Sequence, residues 1–191
     1  MAELGRLLAL LPWKLVSVDA CPHGTAVTWD ENGANYFENA AIKASAVHAA
    51  TGLPALADDS GLELDAFGGW PGLHTARWLG DGFSSDELLL AMAERVASLP
   101  VADRGATFRC VLAYVGPGQS ARQEPTFVEG TVRGTLLAFP RGYSGFGYDP
   151  IFVPDGHTKT MAELAEEEKD RISHRGRAAQ ALVRSLMMQR G

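Results

Sequence analysis

The residues with the clearest capacity for chemistry are two adjacent carboxylates, Asp58 and Asp59, followed by Ser60 and Gly61. They come after an apolar run at 53–57, a pattern that predicts a buried strand carrying its acids to the rim of a sheet and turning at Gly61. Adjacent carboxylates repel each other unless a proton or a cation lies between them. Mg²⁺ is such a cation, since it prefers carboxylates, phosphate oxygens and water. A plain Asp/Ser/Gly turn is the alternative.

A second acid, Glu38, lies at the start of a predicted helix. Asn35 is a good N-cap and Glu38 follows it by three residues, which is the spacing of a capping box and accounts for the residue type. The other interpretation is that Glu38 faces Asp59 and completes a metal site. Lys43 lies five residues after Glu38 and so on a different part of the helix surface, which favours a solvated lysine.

The segment 144–150, Ser-Gly-Phe-Gly-Tyr-Asp-Pro, combines glycines with two aromatic residues. Glycines on both sides of Phe146 let the backbone approach a ligand closely. Phe146 and Tyr148 offer faces on which a planar base could stack, and Asp149 is held extended by the proline that follows it. A Gly/Pro turn with core aromatics is the alternative.

A basic cluster that includes Lys169, His174 and Arg175 follows an acidic run at 163–168. Such mixed charge is typical of a solvated amphipathic helix. It also suits a site that reads phosphates and base edges, with lysine as a point charge and arginine as a bidentate donor. The compact Ser-His-Arg-Gly at 173–176 favours the second interpretation.

The composition limits the classes of function. A length of 191 residues suffices for one domain, and the net charge of −6 argues against a nucleic-acid or anionic-membrane partner, both of which need a basic face. No stretch approaches the length of a membrane span. Cys21 and Cys110 have no metal-ligand spacing, so we expect free thiols and a cytoplasmic location.

The elements that would hold these residues alternate between helices and strands. Helices are predicted at 2–11, from Asn35 to Gly52, from Ser84 or Ser85 to Leu99, and toward the C-terminus after a charged segment at 161–177. Strands are predicted at 15–18, 62–66, 106–115, 126–137 and 151–153, with 106–115 and 126–137 as an antiparallel hairpin. This order predicts an α/β fold, a mixed β-sheet flanked by helices.

Taken together, the motifs resemble the inosine/xanthosine triphosphate pyrophosphatase family. The matching segments are Phe-Glu-Asn-Ala at 37–40, the acidic stretch 53–62, Gly-Gly-Trp-Pro-Gly at 68–72, 146–150 and 173–176. The resemblance implies one domain over 1–191 with an elongated α/β fold, two lobes and a central cleft. It also implies a homodimer. The implied cofactor of the activity is Mg²⁺.

The resemblance further implies hydrolysis of ITP, dITP or XTP to the monophosphate and pyrophosphate, which removes deaminated purines from the nucleotide pool. Asp59 would be the general base, and Asp59 with Glu38 would hold Mg²⁺. The implied substrate-binding residues are Ser60, Phe146, Gly147, Tyr148, Asp149, Lys169, His174 and Arg175. Donors facing a 6-oxo group would discriminate against adenine, whose 6-amino group cannot accept from them.

One departure from the family concerns its opening segment. The family begins with a strand and a Thr/Ser-Gly-Asn loop followed by a lysine, which embraces the triphosphate, whereas residues 1–4 here resemble those that follow this lysine. We therefore expect weak or no turnover by this exact polypeptide. The alternatives are a nucleotide-binding module that lacks catalysis, separated by Mg²⁺-dependent turnover, and a Maf-like pyrophosphatase, separated by a substrate panel.

Overall fold

The computed structural model describes residues 2–119 and 123–188, and it confirms the α/β class. The helices are α1 (Ala2–Leu7), α2 (Tyr36–Thr51), α3 (Ser85–Ala97), α4 (Glu166–Ile172) and α5 (His174–Met188). The strands are β1 (Ala55–Leu64), β2 (Gly105–Val115), β3 (Thr126–Leu136) and β4 (Phe152–Pro154). They form one sheet in the order β1-β2-β3-β4, with β4 antiparallel to β3 through the pair Thr135 and Val153.

Strand β1 contains the acidic pair and does not turn at Gly61. It runs from Ala55 to Leu64, so the predicted turn is wrong and Asp58 and Asp59 lie in mid-strand. The reason is that the alternating pattern continues past the glycine, and Leu62 and Leu64 are almost fully buried. Because neighbouring side chains of a strand point to opposite faces, the two carboxylates serve different surroundings.

Helix α2 begins and ends as its sequence predicts. The Asn35 side chain accepts a hydrogen bond from the Glu38 backbone N–H, and Gly52 ends the helix with a left-handed φ of 68°. Helix α3 begins in the same way at a complete capping box between Ser84 and Glu87. The Asn35 cap fixes where α2 starts, and thereby which side chains of α2 meet Asp59.

Other predicted elements differ in extent. The predicted strand at 15–18 is wrong, since residues 13–17 form no strand. Among the described residues β1 to β4 account for the whole sheet, and a segment outside a sheet lacks a hydrogen-bonded neighbour strand. Helix α1 ends at Leu7, and the closing charged region forms α4 and α5 on either side of Ser173. The predicted hairpin strands are confirmed, although residues 120–122 of their loop lie outside the described part.

The chain divides into two compact units. Unit 1 comprises Met1–Asp59, Cys110–Gly130 and Arg175–Gly191, and unit 2 comprises Ser60–Arg109 and Thr131–His174. Each has its own apolar core. That of unit 1 includes Leu8, Leu11, Leu112, Ala178 and Leu182, and that of unit 2 includes Leu62, Met92, Val96, Ile151 and Phe152. No helix within residues 2–119 or 123–188 is long and apolar enough to cross a bilayer.

Candidate active site

The centre of the candidate site in unit 1 is a buried ion pair between Asp59 and Lys43. Lys43 Nζ lies 2.7 Å from Asp59 Oδ1, and Asn39 Nδ2 lies 3.4 Å from Asp59 Oδ2. The residue Asp59 is only 8% exposed. A buried carboxylate that receives donors on both oxygens is held in one orientation, as a group acting at a defined point must be.

Lys43 is a residue that the spacing argument missed. The prediction of a solvated lysine is wrong, since its side chain is 14% exposed and also lies 3.1 Å from Glu31 Oε1. Lys43 is five residues from Glu38 but only four from Asn39, which lies on the same helical face and also contacts Asp59. The signal in the sequence was the spacing of Asn39 and Lys43, which places an amide and an amine one helical turn apart and lets both face the acidic strand.

The electrostatics of the pair favour a carboxylate that can accept a proton. Burial raises the pKa of Asp59 above its usual value, and the hydrogen bond and charge of Lys43 offset only part of that rise. Burial lowers the pKa of Lys43, but Asp59 and Glu31 outweigh it, so the pKa of Lys43 lies above its usual value. A base with a raised pKa accepts protons more readily while Lys43 stabilises its charged form.

Glu38 lies at the third position of α2 and completes only part of the predicted capping box, because its carboxylate bonds the backbone N–H of Ala34 and not that of the N-cap Asn35. Its carboxylate accepts hydrogen bonds from the backbone N–H of Ala34 and from Asn35 Nδ2, each at 2.8 Å, and the residue is exposed. Each carboxylate oxygen has two lone pairs, so the capping bonds leave acceptor sites on Glu38. Capping explains this residue by itself, and a metal-binding role remains a prediction.

Asp58, the neighbour of Asp59, binds Arg175 of α5. Arg175 Nε and Nη2 lie 3.0 and 2.9 Å from Asp58 Oδ2, and Nη1 lies 3.3 Å from Glu3 Oε2. Both carboxylates raise the pKa of Arg175 against the opposing effect of its burial. The two adjacent acids are therefore separated in role, one paired with a lysine of α2 and the other with an arginine of α5.

In unit 2, the Gly-Phe-Gly-Tyr-Asp segment folds around a buried ion pair. Lys169 Nζ lies 2.6 Å from Asp149 Oδ2, which also accepts the backbone N–H of Phe146 at 2.8 Å. Asp149 is 1% exposed, whereas Phe146 is 47% exposed and its ring centroid lies 5.0 Å from Lys169 Nζ. The pair thus holds an exposed aromatic face over a buried cation.

The remaining predicted residues of unit 2 have different surroundings. Tyr148 is 4% exposed and belongs to the apolar core, while Gly147 beside it has a left-handed φ of 59°. His174 is also buried and stacks on Phe108 with ring centroids 4.7 Å apart. Ser60 is half-buried within β1. The structure therefore brings Phe146 to Asp149 together with Lys169, and it makes Phe146 the exposed ring.

Within the described residues, no three His, Cys, Asp or Glu side chains form a group that could hold a metal ion by themselves. The acids of unit 1 instead contact cationic or amide groups, as the partners of Asp58 and Asp59 show. A metal at Asp59 would therefore need ligands in addition to the acids of the described residues.

Comparison with known proteins gives the family of this chain. The sequence profile of the Ham1 family matches residues 1–185. The chain belongs to the Ham1 family. It is 48% identical over 188 residues to a dITP/XTP pyrophosphatase of Streptomyces coelicolor, covering 96% of this chain and 90% of that protein. It is 42% identical over 178 residues to a dITP/XTP pyrophosphatase of Geobacter sulfurreducens, covering 93% and 86%.

Solved structures of the family share the fold. A HAM1 protein from Coxiella burnetii matches with a TM-score of 0.84 and 37% identity, covering 98% of this chain and 92% of its own. A nucleoside-triphosphatase, dITP/XTP pyrophosphatase, from Mycobacterium abscessus matches with a TM-score of 0.72 and 42% identity, covering 95% and 92%. The resemblance inferred from the sequence motifs is thus confirmed at the level of family and fold.

Proposed function

We propose that this Ham1-family chain is a hydrolase that cleaves ITP, dITP and XTP to the nucleoside monophosphate and pyrophosphate. The observation that carries the proposal is the buried Asp59, oriented by Lys43 and Asn39 and raised in pKa. A general base held at a fixed point is what attack of water on a phosphoanhydride requires. The similarity of this chain to the dITP/XTP pyrophosphatases of Streptomyces coelicolor and Geobacter sulfurreducens supports the same reaction.

In the proposed reaction, Asp59 accepts a proton from water as the water oxygen forms a bond to the α-phosphorus. The bond from that phosphorus to the bridging oxygen breaks, and pyrophosphate leaves with the electron pair. Lys43 keeps Asp59 ionised before the step, because its positive charge favours the carboxylate. Asn39 restricts rotation of the same carboxylate through its amide. Each residue thus acts on the orientation or charge of one base.

We propose that Asp59 and Glu38 bind Mg²⁺ together with the substrate. Mg²⁺ is bound in proteins by one or two carboxylates together with substrate phosphates and water. Asp59 and Glu38 both keep acceptor lone pairs beside the hydrogen bonds that they already make, so they can act as such ligands. When bound, the ion would neutralise charge on the phosphates. The residues do not provide a cage for the ion without substrate.

For the purine, we propose a pocket in unit 2 built on Phe146. Its exposed ring can stack on a planar base, and the left-handed backbone at Gly147 leaves room for close approach. Asp149 and Lys169 hold the segment in place through their 2.6 Å ion pair. Tyr148 packs in the apolar core of unit 2, and this packing would hold the bottom of the pocket in place.

The other substrate-binding residues are proposed with narrower roles. Ser60, directly after Asp59, can donate its hydroxyl to a phosphate oxygen, and His174 can present an N–H to the 6-oxo edge. Arg175 would support the nucleotide only by exchanging one of its carboxylate partners, Asp58 or Glu3. The homodimer is proposed from the family resemblance, and sedimentation velocity tests it. A cytoplasmic location is proposed because nucleoside triphosphates are used there.

The test is a panel of ITP, XTP, dITP, GTP and ATP with Mg²⁺, with pyrophosphate and orthophosphate measured separately. We expect pyrophosphate from the deaminated purines and little from ATP or GTP. Release of orthophosphate alone, or equal use of ATP, contradicts the proposal. Nucleotide binding without turnover would support the binding-module alternative, which the intact Asp59–Lys43 pair does not favour.

A further inference from the structure

A hydrogen-bond relay in unit 2 ends at Tyr148. The Trp78 indole N–H donates to the Tyr148 hydroxyl at 2.7 Å, and that hydroxyl donates to the backbone carbonyl of Thr75 at 2.9 Å. The phenol is thus bonded as donor and as acceptor, to groups that are themselves part of the fold. Burial raises the pKa of Tyr148 to about 12, although the bond from Trp78 opposes the rise.

The relay continues from Thr75 to strand β1. The Thr75 hydroxyl accepts the backbone N–H of Leu62 at 2.8 Å and donates to the carbonyl of Gly72 at 2.6 Å. Leu62 lies two residues after Ser60 in β1. The hydroxyl of Thr75 therefore fixes the turn that supplies the carbonyl for Tyr148.

On its other side, Trp78 packs within an aromatic cluster. The Trp70 ring lies 5.0 Å away at an interplanar angle of 77°, and the Arg95 guanidinium lies 4.6 Å from the Trp70 ring and 5.7 Å from the Trp78 ring. Edge-to-face rings and a cation over them restrain the indole plane. The N–H donor that meets Tyr148 is accordingly presented from a restrained group.

We propose that Trp78 and the Thr75 hydroxyl are positioning residues that set the place of Tyr148, and thereby the depth of the purine pocket. The inference rests on the proposed function, because it concerns the pocket built on Phe146. Tyr148 is too deeply buried to read a base through its hydroxyl, whose bonds go to Thr75 and Trp78. Its contribution is the position of its ring and of the backbone from 146 to 149.

The variants separate the relay from general packing. Trp78→Phe removes the donor and keeps an aromatic ring. Trp70→Phe also removes an indole from the same cluster, but it keeps an aromatic ring that can restrain Trp78 edge-to-face and leaves the donor to Tyr148 in place. Thr75→Val removes the hydroxyl at constant shape, and Thr75→Ser keeps it. We expect KM for ITP to rise about fivefold in Trp78→Phe and Thr75→Val with kcat within about twofold, as the loss of one neutral hydrogen bond would give. Trp70→Phe and Thr75→Ser keep KM.

A second measurement does not depend on turnover. It is the rate of hydrogen exchange of the Trp78 indole N–H, whose signal is assigned by its loss in Trp78→Phe. We expect this rate to rise at least about tenfold in Tyr148→Phe, because that variant removes the acceptor of the indole hydrogen bond. Unchanged exchange, or an equal KM increase in Trp70→Phe and Trp78→Phe, overturns the inference. Unchanged KM in Trp78→Phe, with ITP turnover by the unsubstituted chain, overturns it while leaving the proposed function in place. Absence of ITP turnover by the unsubstituted chain contradicts both the inference and the proposed function.

Discussion

Lys43 Nζ lies 2.7 Å from Asp59 Oδ1, so a helix lysine and a mid-strand aspartate form one buried unit. Because burial raises the pKa of Asp59 and the charge of Lys43 lowers it, removal of the lysine raises that pKa further. We predict that Lys43→Met shifts the acidic limb of the kcat/KM profile to higher pH, since a base with a higher pKa is protonated at higher pH.

The matched control is Lys43→Arg, which keeps the positive charge and leaves the limb near its position in the unsubstituted chain. The measurement is the pH dependence of ITP hydrolysis for the three proteins at saturating Mg²⁺. A limb that stays in place or moves to lower pH in Lys43→Met would show that Lys43 does not stabilise the charged form of Asp59.

Glu38 provides a separate test of capping against metal binding. Glu38→Gln keeps an oxygen that can accept the Ala34 N–H, so we predict a loss of less than about 1 kcal/mol in unfolding free energy. The same change removes a charged ligand, and the Mg²⁺ concentration for half-maximal activity should rise several-fold. Asn35→Ala, which removes the cap, should cost about 1 kcal/mol and leave the Mg²⁺ dependence unchanged. Equal Mg²⁺ dependence in both variants would restrict Glu38 to capping.

The helices and caps were the part of the fold most accessible to sequence analysis. Asn35, Glu38 and Gly52 bound α2 through local contacts, and local contacts are visible in a sequence. The path of β1 was not, because the turn preference of Asp-Asp-Ser-Gly is overruled by burial of Leu62 and Leu64 in a core made by distant residues. Tertiary packing decides such cases, and a single sequence does not contain it.

The sequence singled out candidate acids, but it did not show which side chains pair with Asp59 or with Tyr148. Asp59 and Asp149 stand out by their motifs, whereas Lys43 and Trp78 become informative only once the fold brings them to 2.7 Å from Asp59 and Tyr148. Such pairings join residues 16 and 70 positions apart in the chain. No periodicity of either segment encodes them.

The buried pair of Asp149 and Lys169 predicts a stability effect. Lys169→Met leaves a carboxylate that is 1% exposed without its cation, and loss of one partner of a buried pair costs about 3–5 kcal/mol. We predict a corresponding drop in unfolding free energy in urea. The double variant Asp149→Asn, Lys169→Met should recover part of the loss, because no unpaired charge is left. A loss under about 1 kcal/mol in Lys169→Met would contradict the account.

Tyr148 predicts the behaviour of the fold in alkali. Its pKa is raised from 10.0 to about 12, so between these values the unfolded chain loses the phenolic proton while the folded chain keeps it. Stability therefore falls as pH rises from 10 to 12, by up to about 3 kcal/mol at about 1.4 kcal/mol per pKa unit. Tyr148→Phe should lower stability near neutral pH and flatten this alkaline decline. A decline of equal slope in both proteins would exclude Tyr148 as its source.

We propose that Asp59, and not its neighbour Asp58, is the base. The most direct measurement is kcat for pyrophosphate release from ITP in Asp59→Asn and Asp58→Asn, beside the unsubstituted chain, with thermal midpoints as a check of folding. The account predicts a loss of at least about 100-fold in Asp59→Asn and of less than about tenfold in Asp58→Asn, whose amide oxygen can still accept from Arg175. Activity of Asp59→Asn within tenfold of the unsubstituted chain, or an equal loss in both variants, would contradict it.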